Sequence, residues 1–428
     1  MRPAFWALAL AWGAATAAQT APPESRGPVL CTLPAVDHTV PPAAGAGRKP
    51  PGRRAAVTCP DGERGVVFDV TYTGFSDAAR TAFQAALDTW SCLLRSDQPV
   101  QVAAEWTELS PTTLGSAGPR LIRNFDGAPA RDTWYPAALA DRFAGRDLRE
   151  DDPDIEASFN SDFPAWHLGP GPPPEGTFDF YTVVLHEIAH GLGFIGGLSV
   201  EDGVGIVGRD ETAGPFAYDL HAEDPAGVPL LDSRVYPDGS AALADALTSA
   251  VRFDGEAVRR VRNGPVVLYA PGRWAPGGSY SHLDDDAFEP GTRDGLMSPF
   301  ISRGETVDRP GDVTCAVLAD VGWDLAGACL DAVGPLVPEQ GGVEVVRTGP
   351  NPFRSRTALR VTSRGSALAQ AFLLDIRGRR VADLGRTAVL PDRPFDVAVD
   401  GSGLATGVYV VDLRVGTDRV AVPLTVVR

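Results

Sequence analysis

Residues 186–194 read His-Glu-Ile-Ala-His-Gly-Leu-Gly-Phe, and no other stretch limits the fold and chemistry of the chain as strongly. Two histidines four residues apart lie on one face of a helix, and the acidic residue between them lies beside the metal ion that they would bind. The spacing is typical of zinc-dependent hydrolases, so it predicts metal ligands at His186 and His190 with Glu187 beside the metal. The alternative is a chance occurrence, in which solvated histidines flank a glutamate in an ion pair.

The residues around this motif predict a helix with one apolar side. At about 100° per residue, His190 and Glu187 fall within about 100° of His186, which puts all three on one arc. The opposite arc is apolar and consists of Tyr181, Val184, Leu185, Ile188, Ala189 and Leu192. Gly191 and Gly193 are expected to end the helix, because glycine tolerates the left-handed backbone that closes a helix. The motif should therefore face a cleft while the rest of the helix enters a core.

The length and charge of the chain limit the class of protein. Its 428 residues predict two or three domains, and 44% hydrophobic residues are ample for packed interiors. The formal net charge of −17 argues against a nucleic-acid partner and against a basic helix on a membrane surface.

The N-terminus has the features of a targeting segment. Arg2 is a short basic region, residues 5–12 are apolar, and residues 15–17 fit the small-residue rule for cleavage. We therefore expect a signal peptide over residues 1–18, with an N-terminal membrane anchor as the alternative. No later apolar stretch is long enough to span a bilayer, so we expect no transmembrane segment. Together with the signal peptide, this predicts a location outside the cell.

The segment between the signal peptide and the motif predicts a mixed fold. Residues 19–64 are rich in Pro, Ala, Gly and Arg and are interpreted as a linker or pro-region. Strand patterns follow at residues 65–72, 100–106 and 155–159, with a helix from Asp77 to about Leu94. The order strand, helix, strand, strand and motif helix indicates an α+β domain.

A catalytic zinc usually has three protein ligands and one open position, so a third ligand is needed. The common short continuation places it three residues beyond Gly193, but that position is Gly196. His282 is the best candidate, because the run Leu296-Met297-Ser298-Pro299 follows it and resembles a Met-turn. Met297 as ordinary core filler is the alternative. The remaining histidines are His38, His167 and His221.

This combination of motif, long insertion, Ser-His and Leu-Met-x-Pro resembles the leishmanolysin-like metallopeptidases and their bacterial relatives. The resemblance implies that His186, His190 and His282 bind one catalytic Zn²⁺ ion, that Glu187 is the general base, and that Met297 forms the Met-turn. It also implies a metzincin-type catalytic domain that hydrolyses protein or peptide substrates.

The resemblance covers roughly residues 65–325, and we place the domain at 65–330 with an insertion at about 198–280. It implies that an extended substrate adds to the strand at 155–159. Residues 310–323 look like the helix that follows the turn in this family. The main alternative in function is a cell-surface adhesin or binding protein with a structural or inactive zinc site, and a third is a zinc hydrolase that acts on a non-peptide bond.

Two side-chain groups near His282 leave alternatives open. Tyr280 is interpreted as a packed aromatic residue and not as an oxyanion donor. Residues 284–286 are three aspartates that could bind calcium, although a solvated acidic loop is the usual role of such a run.

An exported chain permits disulfides, and the chain has five cysteines. Cys315 and Cys329 flank one short segment and are the expected bridge; the pairing of the others stays open. The odd count leaves one thiol, either a free structural cysteine, which composition favours, or a propeptide thiolate that caps the metal.

After a linker at residues 331–342, the composition changes to short alternating runs that predict a small β-sandwich over 343–428. The runs at 349–353, 375–381 and 403–409 resemble the C-terminal sorting domain of type IX secretion cargo. This resemblance implies a contact with secretion machinery, followed by secretion or attachment to the outer cell surface. An immunoglobulin-like accessory module is the alternative. The predicted strands are Val343–Val346, Ala358–Val361, Ala371–Ile376, Phe395–Val399, Val408–Val415 and Val420–Val427.

Overall fold

The computed structural model describes residues 23–35, 59, 65–209, 212–334, 342–391, 393–416 and 418–428. The predicted signal peptide and His38 lie outside these residues. Helix accounts for 20% and strand for 36% of the structure, so the fold is mixed α+β, as the order of the sequence patterns indicates. In the described part of the chain, no helix is both long and apolar enough to cross a bilayer.

A five-stranded sheet forms the framework of the N-terminal half. The elements here are β1 (Glu24–Arg26), β2 (Cys31–Pro34), β3 (Phe68–Thr73), α1 (Asp77–Ser91), β4 (Leu94–Arg95), β5 (Val100–Thr107), β6 (Thr113–Pro119), β7 (Leu121–Arg123), β8 (Tyr135–Pro136), α2 (Ala137–Ala144), β9 (Ile155–Asn160), β10 (Trp166–His167), β11 (Phe178–Asp179) and α3 (Phe180–Leu192). The strand order of the main sheet is β2-β6-β9-β5-β3, and β6 runs antiparallel to the other four strands.

Helix α3 carries the motif and packs between α1 and the sheet. The indole of Trp90 donates to the carbonyl of Leu185 at 3.2 Å, which ties α1 to α3. Gly193 ends the helix with φ of +118°, as predicted. Gly191 lies inside the helix, contrary to the prediction. A Cβ at this position would meet the Ile155 side chain at 2.5 Å. The glycine therefore permits a close approach of α3 to β9.

The motif face of α3 is covered, whereas the sequence predicts an open cleft. Every residue of α3 is buried, including the three motif side chains. The cover is β2, which lies along β6, while β1 lies along β7. Strand structure thus begins well before residue 65. The sequence gives no sign of it because the hydrogen-bond partners of β1 and β2 lie about a hundred residues away along the chain.

The strand expected to accept an extended substrate is not available for pairing. Strand β9 is hydrogen-bonded to β5 on one side and to β6 on the other, so the prediction that a substrate adds to residues 155–159 is wrong. Strand β6 has its second hydrogen-bonding edge beside the motif face, and β2 occupies that edge.

The segment after α3 builds two small sheets and then returns to the core. Its elements are β12 (Leu198–Glu201), β13 (Val204–Arg209), β14 (Thr212–Ala213), a 3-10 helix (Ala217–His221), β15 (Ala222–Glu223), α4 (Ala241–Leu247), β16 (Val251–Phe253), α5 (Glu256–Arg262), β17 (Val266–Leu268), α6 (Asp312–Val321), β18 (Asp324–Leu325) and α7 (Gly327–Val333). The predicted disulfide between Cys315 and Cys329 is confirmed and joins α6 to α7. A second disulfide joins Cys59 to Cys92.

The C-terminal part consists of strands in two antiparallel sheets around a second hydrophobic core. The strands are β19 (Val343–Arg347), β20 (Arg356–Ser363), β21 (Ala367–Asp375), β22 (Arg380–Val389), β23 (Phe395–Asp400), β24 (Gly407–Val415) and β25 (Asp418–Val426). The sheet orders are β19-β20-β23 and β22-β21-β24-β25. Both sheets contribute to one cluster that includes Leu359, Val361, Val411 and Leu413. Strand β22 was not predicted, because exposed residues interrupt its apolar pattern.

An arginine of the C-terminal part reaches two buried carboxylates of the preceding region. Arg393 Nη1 lies 2.8 Å from Glu223 Oε2 and 2.6 Å from Asp254 Oδ2. The two carboxylate side chains are 5% and 0% exposed, whereas that of Arg393 is 39% exposed. Arg259 also pairs with Asp254, so Asp254 would keep one partner if Arg393 were removed.

We expect Arg393→Ala to lower the free energy of unfolding by about 1–3 kcal/mol, because it leaves buried carboxylates short of a partner. The value is below that of a fully buried pair because Arg393 is partly exposed and Arg259 remains. Denaturant unfolding measures the loss. Arg360→Ala is the control, since Arg360 forms a half-exposed pair with Asp396 and its removal should leave the free energy of unfolding nearly unchanged. Equal losses in the two variants would contradict the contribution assigned to Arg393.

Candidate metal centre

Three imidazoles meet at the motif face of α3. The Nε2 atoms of His186 and His190 are 3.0 Å apart, and each lies 3.2 Å from Nε2 of His282. The three residues are at most 2% exposed. The structure therefore brings together the three histidines that the resemblance selected, although His282 follows His190 by 92 residues.

The second nitrogen of each ring fixes its tautomer. Nδ1 of His186 lies 2.7 Å from the carbonyl oxygen of Leu296, and Nδ1 of His190 lies 2.7 Å from that of Phe194. Nδ1 of His282 lies 2.8 Å from the carbonyl oxygen of Gly278. A carbonyl only accepts, so each Nδ1 carries the proton and each neutral ring presents a lone pair at Nε2.

Three converging lone pairs repel one another unless a cation lies between them, and that is the physical sign of a metal site. Burial also favours neutral rings: it lowers the pKa of His186 to about 4 and those of His190 and His282 well below the ordinary value. Tetrahedral Zn–N bonds of ~2.0–2.1 Å place the nitrogens roughly 3.3 Å apart. The observed spacing and the all-nitrogen donor set therefore fit zinc.

Glu187 is a buried carboxylic acid with an unusual environment. It is 0% exposed, and neither oxygen makes a hydrogen bond of ordinary geometry. Burial raises the pKa of Glu187 well above its ordinary value, opposed by the nearby backbone amides of Ala117 and Leu33. A buried polar group without a partner costs free energy, so such a group in a native protein calls for an explanation. A proton-transfer role at an adjacent metal would supply one.

The thiol of Cys31 lies at the same centre. Its sulfur and one ring nitrogen each of His190 and His282 lie within 4.8 Å of one another, and together they form a possible metal site. Among the described residues Cys31 is the free cysteine, and it is buried. Burial raises the pKa of its thiol to about 12. Composition favours a structural role for the unpaired cysteine. The structure places its sulfur beside the histidines, which is the position that the alternative, a thiolate that caps the metal, requires. The odd cysteine count was the one signal in the sequence.

The loop that carries His282 is held by a carboxylate that the sequence did not reveal. Asp219 Oδ1 accepts from the hydroxyl of Tyr280 at 2.7 Å and from the amide of Gly197 at 2.9 Å, and Oδ2 accepts from the amide of Phe216 at 2.7 Å. Tyr280 has φ of +72°, which a side chain adopts only under constraint. Asp219 thus joins the segment after α3 to the loop of the third histidine.

We expect Asp219→Asn to weaken zinc binding about tenfold. The amide nitrogen of asparagine is itself a donor, so it cannot accept one of the three hydrogen bonds that the carboxylate accepts. Competition with a chromophoric chelator measures the affinity. Asp238→Asn is the control: Asp238 is exposed and accepts one amide, that of Val207, in the same region. An Asp219→Asn protein with the affinity of the wild type would show that the loop holds His282 without this carboxylate.

Met297 lies where the resemblance puts the turn. It is 0% exposed, and its carbonyl accepts from the amide of Leu283, the residue after His282. The carbonyl of Leu296 accepts from the His186 ring. The Leu296–Met297 segment therefore contacts both the motif and the residue that follows the third histidine.

The other candidates lie apart from the three imidazoles. His167 hydrogen-bonds to the carbonyl of Gly171, and buried His221 stacks on Phe253. The hydroxyl of Tyr280 donates a hydrogen bond to Asp219, which agrees with the interpretation of Tyr280 as a packed aromatic residue. The aspartates at 284–286 are outside the metal-ligand grouping found among the described residues, so nothing supports calcium there.

Comparisons with known proteins leave the family open. No protein-family model and no curated protein matches the chain. Among solved structures, a CARDB domain from Pyrococcus furiosus, in complex with di-metal ions, is 13% identical with a TM-score of 0.18 and covers 22% of this chain and 95% of its own. A beta-glucosidase from Kluyveromyces marxianus is 12% identical with a TM-score of 0.16, covering 21% of this chain and 15% of its own. Likenesses this weak carry no functional argument.

Proposed function

We propose that this protein is a secreted zinc-dependent endopeptidase similar to the leishmanolysin-like metallopeptidases, with a metzincin-type catalytic domain. One observation carries the proposal: three neutral imidazoles with converging lone pairs meet on the helix face that also carries Glu187, a buried carboxyl without a hydrogen bond of ordinary geometry. His186, His190 and His282 would hold the ion, and Met297 would support them.

Zinc, when bound, supplies a Lewis acid that lowers the pKa of water and polarises a carbonyl group. Glu187 would accept a proton from the attacking water at one carboxylate oxygen and deliver it to the leaving amine. A positive ion beside Glu187 would oppose the effect of burial and favour the carboxylate form that a base requires. A structural site closed by four protein ligands has no use for such a base, and this argues against the adhesin alternative.

The edge of β6 supports a peptide as the substrate. A β-strand edge binds an extended chain through main-chain hydrogen bonds, independently of most side chains. Residues 31–34 already add to this edge in antiparallel orientation, so it accepts a strand. We therefore assign the peptide-binding edge to β6 in place of β9.

The C-terminal strands serve export in this proposal. The runs at 349–353, 375–381 and 403–409 support a sorting role through their likeness to type IX cargo. Expression with and without residues 343–428 tests it: we expect the full chain in the medium or on the outer surface of a host with that secretion system, and the shortened chain in the periplasm. Equal export of both forms would leave the strands as an accessory module.

Metal analysis and a protease assay on the same preparation test the enzymatic proposal. We expect one zinc ion per chain and chelator-sensitive cleavage of casein or gelatin, assayed before and after limited proteolysis. Zinc binding without cleavage in either state would favour the adhesin or a hydrolase for another bond, which a panel of ester and amide substrates would separate.

A further inference from the structure

Arg209 lies where the segment after α3 meets the β6 edge. It is the last residue of β13 and is half-buried. Its Nη1 donates to the carbonyl of Gly196 at 3.3 Å, in the loop by which the chain leaves α3, and its Nη2 donates to the carbonyl of Leu30 at 3.2 Å. One guanidinium group therefore joins the loop after the motif helix to the main chain of a strand that lies along β6.

The carbonyl of Leu30 is one that β6 cannot bind. In an antiparallel pair, successive residues turn their main-chain groups to opposite sides of the strand. The amide of Val29 donates to the carbonyl of Pro119 on β6 at 3.1 Å, so the main-chain groups of the next residue, Leu30, face away from β6. Arg209 supplies the donor on that side. Because the alternation belongs to the main chain, an extended peptide of any sequence on this edge would present a carbonyl in the same way.

This carbonyl lies close to the metal centre along the strand. The residue after Leu30 is Cys31, whose sulfur lies within 4.8 Å of ring nitrogens of His190 and His282. The carbonyl that Arg209 binds thus belongs to the residue next to the one at the centre. A donor at this place would fix which peptide bond lies beside the ion.

The positive charge of Arg209 reaches the same centre. Burial lowers the pKa of His190 and of His282 well below the ordinary value, and the charge of Arg209 acts in the same direction. A positive charge here repels a metal ion, so it does not serve zinc binding. A charged donor does form a stronger hydrogen bond to a carbonyl than a neutral donor, and the guanidinium fork can bind two carbonyls at once.

We propose that Arg209 is a substrate-positioning residue, whose guanidinium binds the main-chain carbonyl that a peptide on the β6 edge turns away from β6, one residue from the metal. The inference rests on the proposed function and adds a group that holds the substrate. The side chain of Leu30 is 43% exposed, so a substrate residue at this position would face solvent. Its carbonyl should therefore matter for binding and its side chain should matter little.

Steady-state kinetics with an internally quenched casein peptide test this role in the zinc-loaded protein, before and after limited proteolysis. We expect Arg209→Met to raise KM about 10–100-fold with kcat within about threefold, because a hydrogen bond to a charged group is lost equally from the bound substrate and the transition state. Arg209→Lys keeps a charged donor and should recover part of the loss. Arg252→Met is the control, since Arg252 binds a carbonyl of its own segment, that of Pro225, at 3.1 Å. An unchanged KM in Arg209→Met would overturn the proposal.

A carbonyl scan of the same peptide separates substrate contact from support of the fold. Each carbonyl near the cleaved bond is replaced in turn by a methylene group. One replacement should raise KM of the wild type about tenfold or more and have almost no further effect in Arg209→Met, because the two changes remove the same hydrogen bond. Equal sensitivity of both proteins at every position would refute the inference and leave the peptidase in place.

Hydrogen exchange in the full chain tests the contact without catalysis. Arg209→Met should speed exchange of the β2 amides about tenfold, because the strand loses a hydrogen bond that holds it, and Arg252→Met should not. Unchanged exchange in Arg209→Met would overturn the proposal. Faster exchange without cleavage of any peptide would refute the peptidase and leave Arg209 as a group that binds strands at this edge.

Discussion

Glu187→Gln is expected to lower casein hydrolysis by about 10²–10⁴-fold while one zinc ion stays bound per chain. Glutamine has almost the same shape as glutamate, so the buried site is preserved. It cannot accept the proton of the attacking water, and the loss should therefore appear in kcat more than in KM. The measurement should be made before and after limited proteolysis, as for the wild type.

Stability should move in the opposite direction to activity. Burial raises the pKa of the Glu187 carboxyl, so the metal-free protein must protonate this group at neutral pH, a cost in stability that a neutral amide does not carry. We expect the metal-free variant to be at least as stable as the metal-free wild type. A variant that loses activity because it unfolds would instead be less stable than the wild type. Denaturant unfolding therefore separates loss of the base from loss of the fold.

Glu223→Gln is the matched control for this experiment. Glu223 is also buried, but it pairs with Arg393 on the side of the C-terminal strands. The substitution should cost stability and leave the specific activity of the folded protein unchanged. Full activity of Glu187→Gln in the same assay would remove the general-base assignment.

The local parts of this architecture could be predicted from the sequence, and the non-local parts could not. Helix α3 and its stop at Gly193 follow from apolar periodicity and glycine, which act within a few residues. The contact of His282 with the motif came from a resemblance, since periodicity cannot report that a residue 92 positions away folds back. Strand β2 has only four residues, too few for its alternation to be recognised, and its partners lie far along the chain in β6.

The roles of Cys31 and Asp219 show the same limit inside the site. An odd cysteine count marks an unpaired thiol but does not say where it lies. Asp219 follows an aromatic residue in an ordinary-looking run, and its importance comes from three donors that belong to three separate segments of the chain. Such convergence exists only in the folded protein.

Removal of the third histidine should have the largest effect on the metal itself. His282→Ala leaves two ring nitrogens, and we expect zinc affinity to fall by more than the ~100-fold that loss of an outer hydrogen-bond partner produces. Metal content after dialysis should fall clearly below one ion per chain. His221→Ala is the control, because His221 is equally buried but stacks on Phe253 away from the three rings, and it should keep its zinc.

The thiol of Cys31 makes this experiment more informative, because a sulfur ligand lies at the same centre. In full-length His282→Ala protein the Cys31 sulfur still lies near the His190 ring, so part of the zinc should be retained. The double variant His282→Ala/Cys31→Ala has only the two motif imidazoles and should lose it. A graded loss, with the double variant lowest, is expected if the thiol also binds the ion. Undiminished zinc in the double variant would mean that the ion binds elsewhere, because two imidazoles alone do not hold zinc against dialysis.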